Sequence, residues 1–367
     1  MRRFSKIAAI AMVGALALAG CGSSDGDGDG GGSEATADSC KAANGDGPKV
    51  GLAYDVGGRG DQGFNDSAYV GMEQAIEEVD ATCTEAKAVP DENESIREER
   101  LRTLAEGGFN PVIAIGYIYS PAAAKVAAEY PDTNFAVIDG YSTTIPKAEL
   151  ENLTDLVFTE EQGSYLVGVA AALKTEAKHV GFVGGINGDL IKKFEAGYQA
   201  GVKSVDPSIR IEVTYLTADP NDAKTGFENP TGGKNAATAM YEDGVDIVYH
   251  AAGKSGLGVF DAVEVAGDGN WAIGADLDQY LSVDEAQKPH ILTSMLKRID
   301  TAVSEYIKAN ADDEVKAGFI AYDLKVDGVG YAKSGGFVDD IADQIDAAAE
   351  KIKSGEIVVP TDPEKVK

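Results

Sequence analysis

The chain has 367 residues, with 61 Asp and Glu against 32 Lys and Arg and a formal net charge of −29. That length is enough for two lobes with separate cores. The acidity argues against nucleic acid or an anionic lipid surface as a partner, because both require clustered basic side chains.

Arg2, Arg3 and Lys6 precede an apolar run from Ile7 to Leu18, short of a membrane span and suited to the core of a signal segment. The run ends in Leu18-Ala19-Gly20-Cys21, which resembles a bacterial lipobox. Residues 1–20 are therefore expected to be a lipoprotein signal peptide and Cys21 the lipidated residue. Residues 21–47 read as an acidic tether, since Gly22–Ser39 holds no branched aliphatic or aromatic residue that could pack. Asp25, Asp27, Asp29 and Gly30 imitate the opening of a calcium loop, but Thr36 stands where such a loop needs a bidentate Glu. With Cys21 acylated, Cys40 and Cys83 remain. An exported chain meets an oxidising environment, so a disulfide between them is expected, with two free thiols as the alternative.

From Lys49 onward, β-branched runs ending in Gly or Asp alternate with segments of helical spacing. The runs Lys49–Asp55, Pro111–Gly116, Phe135–Gly140, His179–Gly185, Ile209–Leu216, Asp246–Gly253, Trp271–Asp276 and His290–Leu296 read as strands, most of them nearly continuous apolar runs as expected of strands buried on both faces. Ala68, Met72, Ala75, Ile76 and Val79 make a 3.6-residue stripe after Phe64-Asn65. Further helices are expected at "SPAAAKVAAEYP", with Ser120 as N-cap and Pro121 in the first turn, at "DLIKKFEAGYQAGVKSV" and at "GKNAATAMYEDG". This alternation predicts an α/β fold of two doubly wound lobes with parallel sheets.

Ligands of open α/β sheets sit beyond the carboxyl ends of the strands. The residues at those ends are Asp55 with the loop through Asn65, Gly116, Asp139, Gly184-Gly185, Gly253 and Asp276. Acceptors beside bare backbone suit a neutral polar molecule. Catalytic signatures are incomplete. Gly232-Gly233-Lys234-Asn235 lacks the upstream glycine and the hydroxyl of a P-loop, and Gly253–Leu257 breaks the nucleophile elbow at its last position. The only histidines, His179, His250 and His290, have no close spacing and no nearby cysteine, which argues against a zinc site. No enzyme activity, cofactor or metal is expected.

Four segments, "DVGGRGDQGFNDSAYVGM", "GFVGGINGDLIKKFEAGYQAG", "AAGKSGLGVFDA" and "GADLDQ" followed by "TSMLKRID", run in this order from Asp55 to Asp300. Together they resemble the basic membrane protein family of substrate-binding lipoproteins, which includes purine nucleoside receptors of ABC transporters. The resemblance implies a type I periplasmic-binding fold of two Rossmann-like lobes. On it, lobe 1 is expected to comprise residues 48–155 with 274–310, and lobe 2 residues 156–273 with 311–367.

The resemblance also implies a ligand set. Asp55 would hydrogen-bond the ligand. Phe64 would stack on a nucleobase and Asn65 would meet its edge. Asp139 would accept from a base N–H, and Phe227 would stack from the second lobe. Gly253 would allow close backbone approach, while Asp276 and Lys297 would hold the sugar hydroxyls. Lys254 stands where the family commonly has a small residue and would narrow the pocket, and Asp61 would cap the loop. The expected protein is a monomeric, lipid-anchored extracytoplasmic receptor delivering a nucleoside, first a purine, to an ABC permease. The competing readings are a sugar or polyol receptor of the same fold and a ligand-sensing lipoprotein.

Overall fold

The computed structural model describes residues 39–89, 92–145 and 150–366. The expected signal peptide, Cys21 and most of the tether lie outside the described residues.

Among the described residues, twelve strands form two six-stranded sheets. They are β1 (Lys49–Ala53), β2 (Thr82–Ala86), β3 (Val112–Ile115), β4 (Phe135–Ile138), β5 (Leu153–Phe158), β6 (His179–Ile186), β7 (Arg210–Thr217), β8 (Ile247–Ala251), β9 (Trp271–Asp276), β10 (Ile291–Lys297), β11 (Gly318–Tyr322) and β12 (Val329–Tyr331). The first sheet runs β11-β5-β4-β3-β1-β2 and is parallel throughout. The second runs β12-β10-β9-β8-β6-β7, and only β12 is antiparallel to its neighbour. The strand order reverses at β1 and β3 in the first sheet and at β6 and β8 in the second. Those two switch points are where a doubly wound sheet opens a crevice for a ligand.

The eight strands expected from the apolar runs are present. β2, β5, β11 and β12 are additional. β2 is an edge strand whose half-buried residues make no continuous apolar run, whereas β11, on the other edge, is a short apolar run exposed at Phe319 and Ala321. β5 is interrupted in sequence by Asp155, which is fully buried. Its carboxylate is satisfied there by the N–H groups of Ser142 (3.1 Å) and Thr143 (2.8 Å) and by the Thr143 hydroxyl (2.7 Å). Ser120 is not an N-cap. It begins the helix Ser120–Glu129, and its hydroxyl accepts the Tyr141 N–H at 3.0 Å. The helix Pro230–Glu242 is capped instead by Asn229, whose Oδ1 accepts the Gly232 N–H at 2.9 Å.

The lobe boundaries differ from those expected. β9 and β10 complete the second sheet, whereas β11 joins the first. The chain passes between sheets after β5, after β10 and after β11. Lobe 1 is therefore built from residues up to Phe158 plus the helix Ile299–Ala311 and β11. That helix packs so closely on the helix Phe64–Val79 that a Cβ at Gly71 would stand 2.3 Å from the Asp300 carbonyl. Composition does not mark such crossings, because a strand entering either sheet needs the same apolar pattern.

Cys40 and Cys83 are disulfide-bonded, with Cα atoms 4.9 Å apart and a sequence separation of 43. The bond ties the segment before β1 to the edge strand β2. Closing a loop of that size contributes about 4 kcal/mol in the chain-entropy account. Replacing both cysteines by serine is expected to lower the midpoint of thermal unfolding by roughly 3–8 °C, as read by calorimetry. An unchanged midpoint would show that this edge unfolds separately from the rest.

Candidate functional site

A cavity between the two switch points encloses about 620 Å³ of empty space, its mouth included. All eight residues expected to contact ligand line it: Asp55, Phe64, Asn65 and Asp139 from lobe 1, and Phe227, Gly253, Asp276 and Lys297 from lobe 2.

The wall from lobe 1 is set by Asp61. Its carboxylate accepts the N–H groups of Gly63 (3.0 Å), Asn65 (2.8 Å) and Asp66 (3.1 Å), and the Asn65 amide at 2.9 Å. These backbone donors open the helix Phe64–Val79 and have no partner within it, so a carboxylate there caps the helix and meets its positive end. Asn65 Oδ1 in turn accepts the Asp55 N–H at 3.3 Å. Strand end, amide and helix start are thus one hydrogen-bonded unit, and Phe64 is carried on it. Asp55 also lies against Gly116, where a Cβ would stand 2.1 Å from its Oδ2 and φ is +113°, so glycine is required. Burial, only partly offset by the Val56 N–H, pushes the Asp55 carboxyl up to about 7.

The wall from lobe 2 carries more aromatic and aliphatic surface than the sequence reading assigned. Phe227 ends the short helix Ala223–Phe227, and its ring lies over Gly185, where a Cβ would be 2.4 Å from the ring. Leu190, Ile191 and Phe194 from the helix Asp189–Val205 line the same cavity, as does Tyr117 from lobe 1. These four were missed. Leu190, Ile191 and Phe194 follow an i, i+1, i+4 pattern that also describes an ordinary packing face. Lys254 lines the cavity as well, its Cβ 3.7 Å from where a side chain on Gly57 would begin.

The polar end is built around Lys297, which is 1% exposed. Its Nζ donates to Asp139 Oδ2 at 2.6 Å and pairs with Glu160 Oε1 at 3.1 Å. It also lies 5.3, 5.0 and 5.6 Å from the ring centroids of Phe64, Phe158 and Phe194. Burial alone would lower its pKa, but Asp139, Glu160 and Asp276 outweigh burial and hold it above the ordinary value. Asp139 Oδ1 is buried without a hydrogen-bond partner among the described residues. Asp139 and Asp276 both occupy the left-handed region, at φ +59° and +70°. Such backbone costs about 1–3 kcal/mol at a non-glycine residue, and here it occurs at two of the three acids around Lys297. Burial pushes the Asp276 carboxyl up to about 7 against the pull of Lys297, with Asp139 and Asp61 adding to the rise.

The loop from lobe 1 also touches lobe 2 directly. Gln279 Nε2 donates to the Gln62 carbonyl at 3.0 Å, while Gln279 Oε1 accepts the Ala275 N–H at 2.8 Å. The cavity is therefore a gap between two lobes already in contact. It holds four carboxyl groups, Asp55, Asp61, Asp139 and Asp276, against Lys254 and Lys297. Such a site favours hydroxyl and N–H donors and opposes a phosphate.

The profile of the family described as "ABC transporter substrate-binding protein PnrA-like" matches residues 49–363. The chain belongs to this family. It is 32% identical over 328 residues to the CD4+ T-cell-stimulating antigen of Listeria monocytogenes, covering 86% of this chain and 88% of that one. It is 31% identical to basic membrane protein A of Borreliella burgdorferi, over 86% and 89% of the two chains. To the ABC transporter nucleoside-binding protein BmpA of Lactococcus lactis it is 29% identical, over 85% and 89%. Among solved structures, the ABC transporter solute-binding protein of Aeropyrum pernix superposes with a TM-score of 0.73 at 26% identity, covering 86% of this chain and 95% of that one. The fold is accordingly that of the two-lobed solute-binding proteins, and the family is one of substrate-binding proteins. No described helix is long and apolar enough to cross a membrane.

The raised Asp276 carboxyl makes a signed prediction. An acid whose folded pKa lies above its unfolded value weakens the fold as pH rises from about 4 toward about 7, because the unfolded chain gives up the proton first. Asp276→Asn is therefore expected to unfold at higher denaturant than wild type at pH 8, with the two converging near pH 4. A variant less stable than wild type at pH 8 would contradict the assignment.

Proposed function

We propose that this chain is the lipid-anchored, extracytoplasmic receptor of an ABC importer and that it binds a nucleoside, a purine first. The observation that carries this reading is that Phe64 and Phe227, from opposite lobes, line one cavity with Asp139, Asp276 and Lys297. A nucleoside is a flat neutral base joined to a vicinal diol. Two rings hold the base by its faces, each stacking contact contributing about 1–3 kcal/mol. The unpartnered Asp139 Oδ1 accepts a base N–H, and the Asp276 carboxylate accepts from the diol. Asn65, with one N–H already given to Asp61 and its carbonyl turned to Asp55, keeps a second N–H for the base edge. The nucleoside-binding relative from Lactococcus lactis supports the same choice of ligand. In this reading an ABC permease is the partner, and Cys21 holds the receptor at the membrane.

Hydroxyl donors favour the ionised form of Asp276 and Asp55, so binding releases protons near neutral pH and tightens as pH rises from about 6 to 8. Isothermal titration of ligand-free protein with adenosine, guanosine, inosine, cytidine and uridine reads both affinity and proton release. Phe64→Ala and Phe227→Ala are each expected to weaken the best nucleoside by about 5- to 150-fold. If no nucleoside gives heat and a sugar does, the sugar-receptor reading replaces this one.

A further inference from the structure

At the opposite end of the second sheet from the ligand cavity, three side chains from separate segments converge. His179 opens β6, Glu212 lies near the start of β7, and Asp243 follows the helix Pro230–Glu242. One ligand-type atom from each lies within 4.8 Å of the other two. We propose that these residues form a site for a divalent transition cation, with Zn2+ the ion it takes.

Two observations support a ligand here. First, His179 is 7% exposed, and its Nε2 is buried with no hydrogen-bond partner among the described residues; Glu212 Oε2 is in the same condition. A buried polar atom without a partner loses its hydration and gains nothing in exchange, so a pair facing each other needs a reason. Second, those two atoms are 3.5 Å apart. Ligands bonded tetrahedrally to zinc at about 2.0–2.2 Å stand about 3.4 Å from one another. The gap is too long for a good hydrogen bond and suits two ligands of one ion.

Asp243 supplies the third position. It is exposed and sits at the carboxyl end of its helix, where the helix dipole favours a cation. Arg210 now answers part of this charge. Its Nη2 is 3.1 Å from Asp243 Oδ2 and 3.9 Å from Glu212 Oε2, and its side chain is 65% exposed. A bound cation displaces this arginine to solvent and draws Asp243 inward by a side-chain rotation. One imidazole with two carboxylates favours zinc over magnesium or calcium, and a fourth position stays open to water. The ion would staple β6, β7 and the helix at the base of lobe 2. Ligands spread over residues 179, 212 and 243 leave no spacing motif, so the sequence pattern gave no sign of them.

The test is isothermal titration of ZnCl2 into chelator-treated protein, with millimolar MgCl2 present to occupy oxygen-only sites. Stoichiometric binding is expected, weakened about tenfold or more in both Glu212→Gln and His179→Gln. Glu212→Gln is a half-buried, shape-conserving change, and metal-free melting curves check that each variant is folded. Absence of zinc binding in the wild-type protein, or an unchanged affinity in either folded variant, overturns the proposal. This includes the case in which His179 and Glu212 serve only as a pair to each other.

Discussion

One buried ammonium group organises the middle of this molecule. Lys297 ends β10, immediately before the chain passes back to lobe 1. It is held by Asp139, at the end of β4 in lobe 1, and by Glu160, just after the chain has left β5. Removing a charge from water costs several kcal/mol unless partners replace the lost hydration. Lys297 is therefore tolerated only where strand ends from both lobes and two of the crossing segments meet. That requirement fixes how β4, β9 and β10 approach each other, and so where the cavity lies.

The same requirement shapes the chemistry of the cavity. Lys297 satisfies one oxygen of Asp139 and leaves the other without a partner. It moderates Asp276 without cancelling the effect of burial. The result is a set of acceptors with too little positive charge nearby to satisfy all of them, next to aromatic faces. A ligand rich in neutral donors would complete this set, in keeping with a family of substrate-binding proteins.

Much of the architecture was legible in the sequence because strands buried on both faces read as apolar runs and their ends as Asp or Gly. What escaped has several causes. β2 has a largely polar sequence, β11 and β12 are short, and β5 carries Asp155, whose burial is permitted by the turn at Ser142-Thr143. No local pattern records such compensation. The lobe assignment of residues 274–298 and of β11 failed for a related reason: a parallel strand has the same apolar requirement in either sheet, so periodicity cannot say which sheet it joins.

For the site, strand-end position together with the family resemblance picked out eight residues that the structure brings to one cavity. Phe194, Ile191 and Leu190 were not distinguishable from packing residues, since the face of a helix toward a cavity and its face toward a core share one spacing. The sequence by itself determined the fold class, the loop that presents Phe64 and Asn65, and the strand ends that carry the acids, because local pattern and chain order encode these. Only the tertiary structure decided which lobe each late strand serves, which carboxyls share Lys297, and which acids are left raised in pKa. Those outcomes depend on burial and on distances between segments far apart in the chain, which no local stretch of sequence contains.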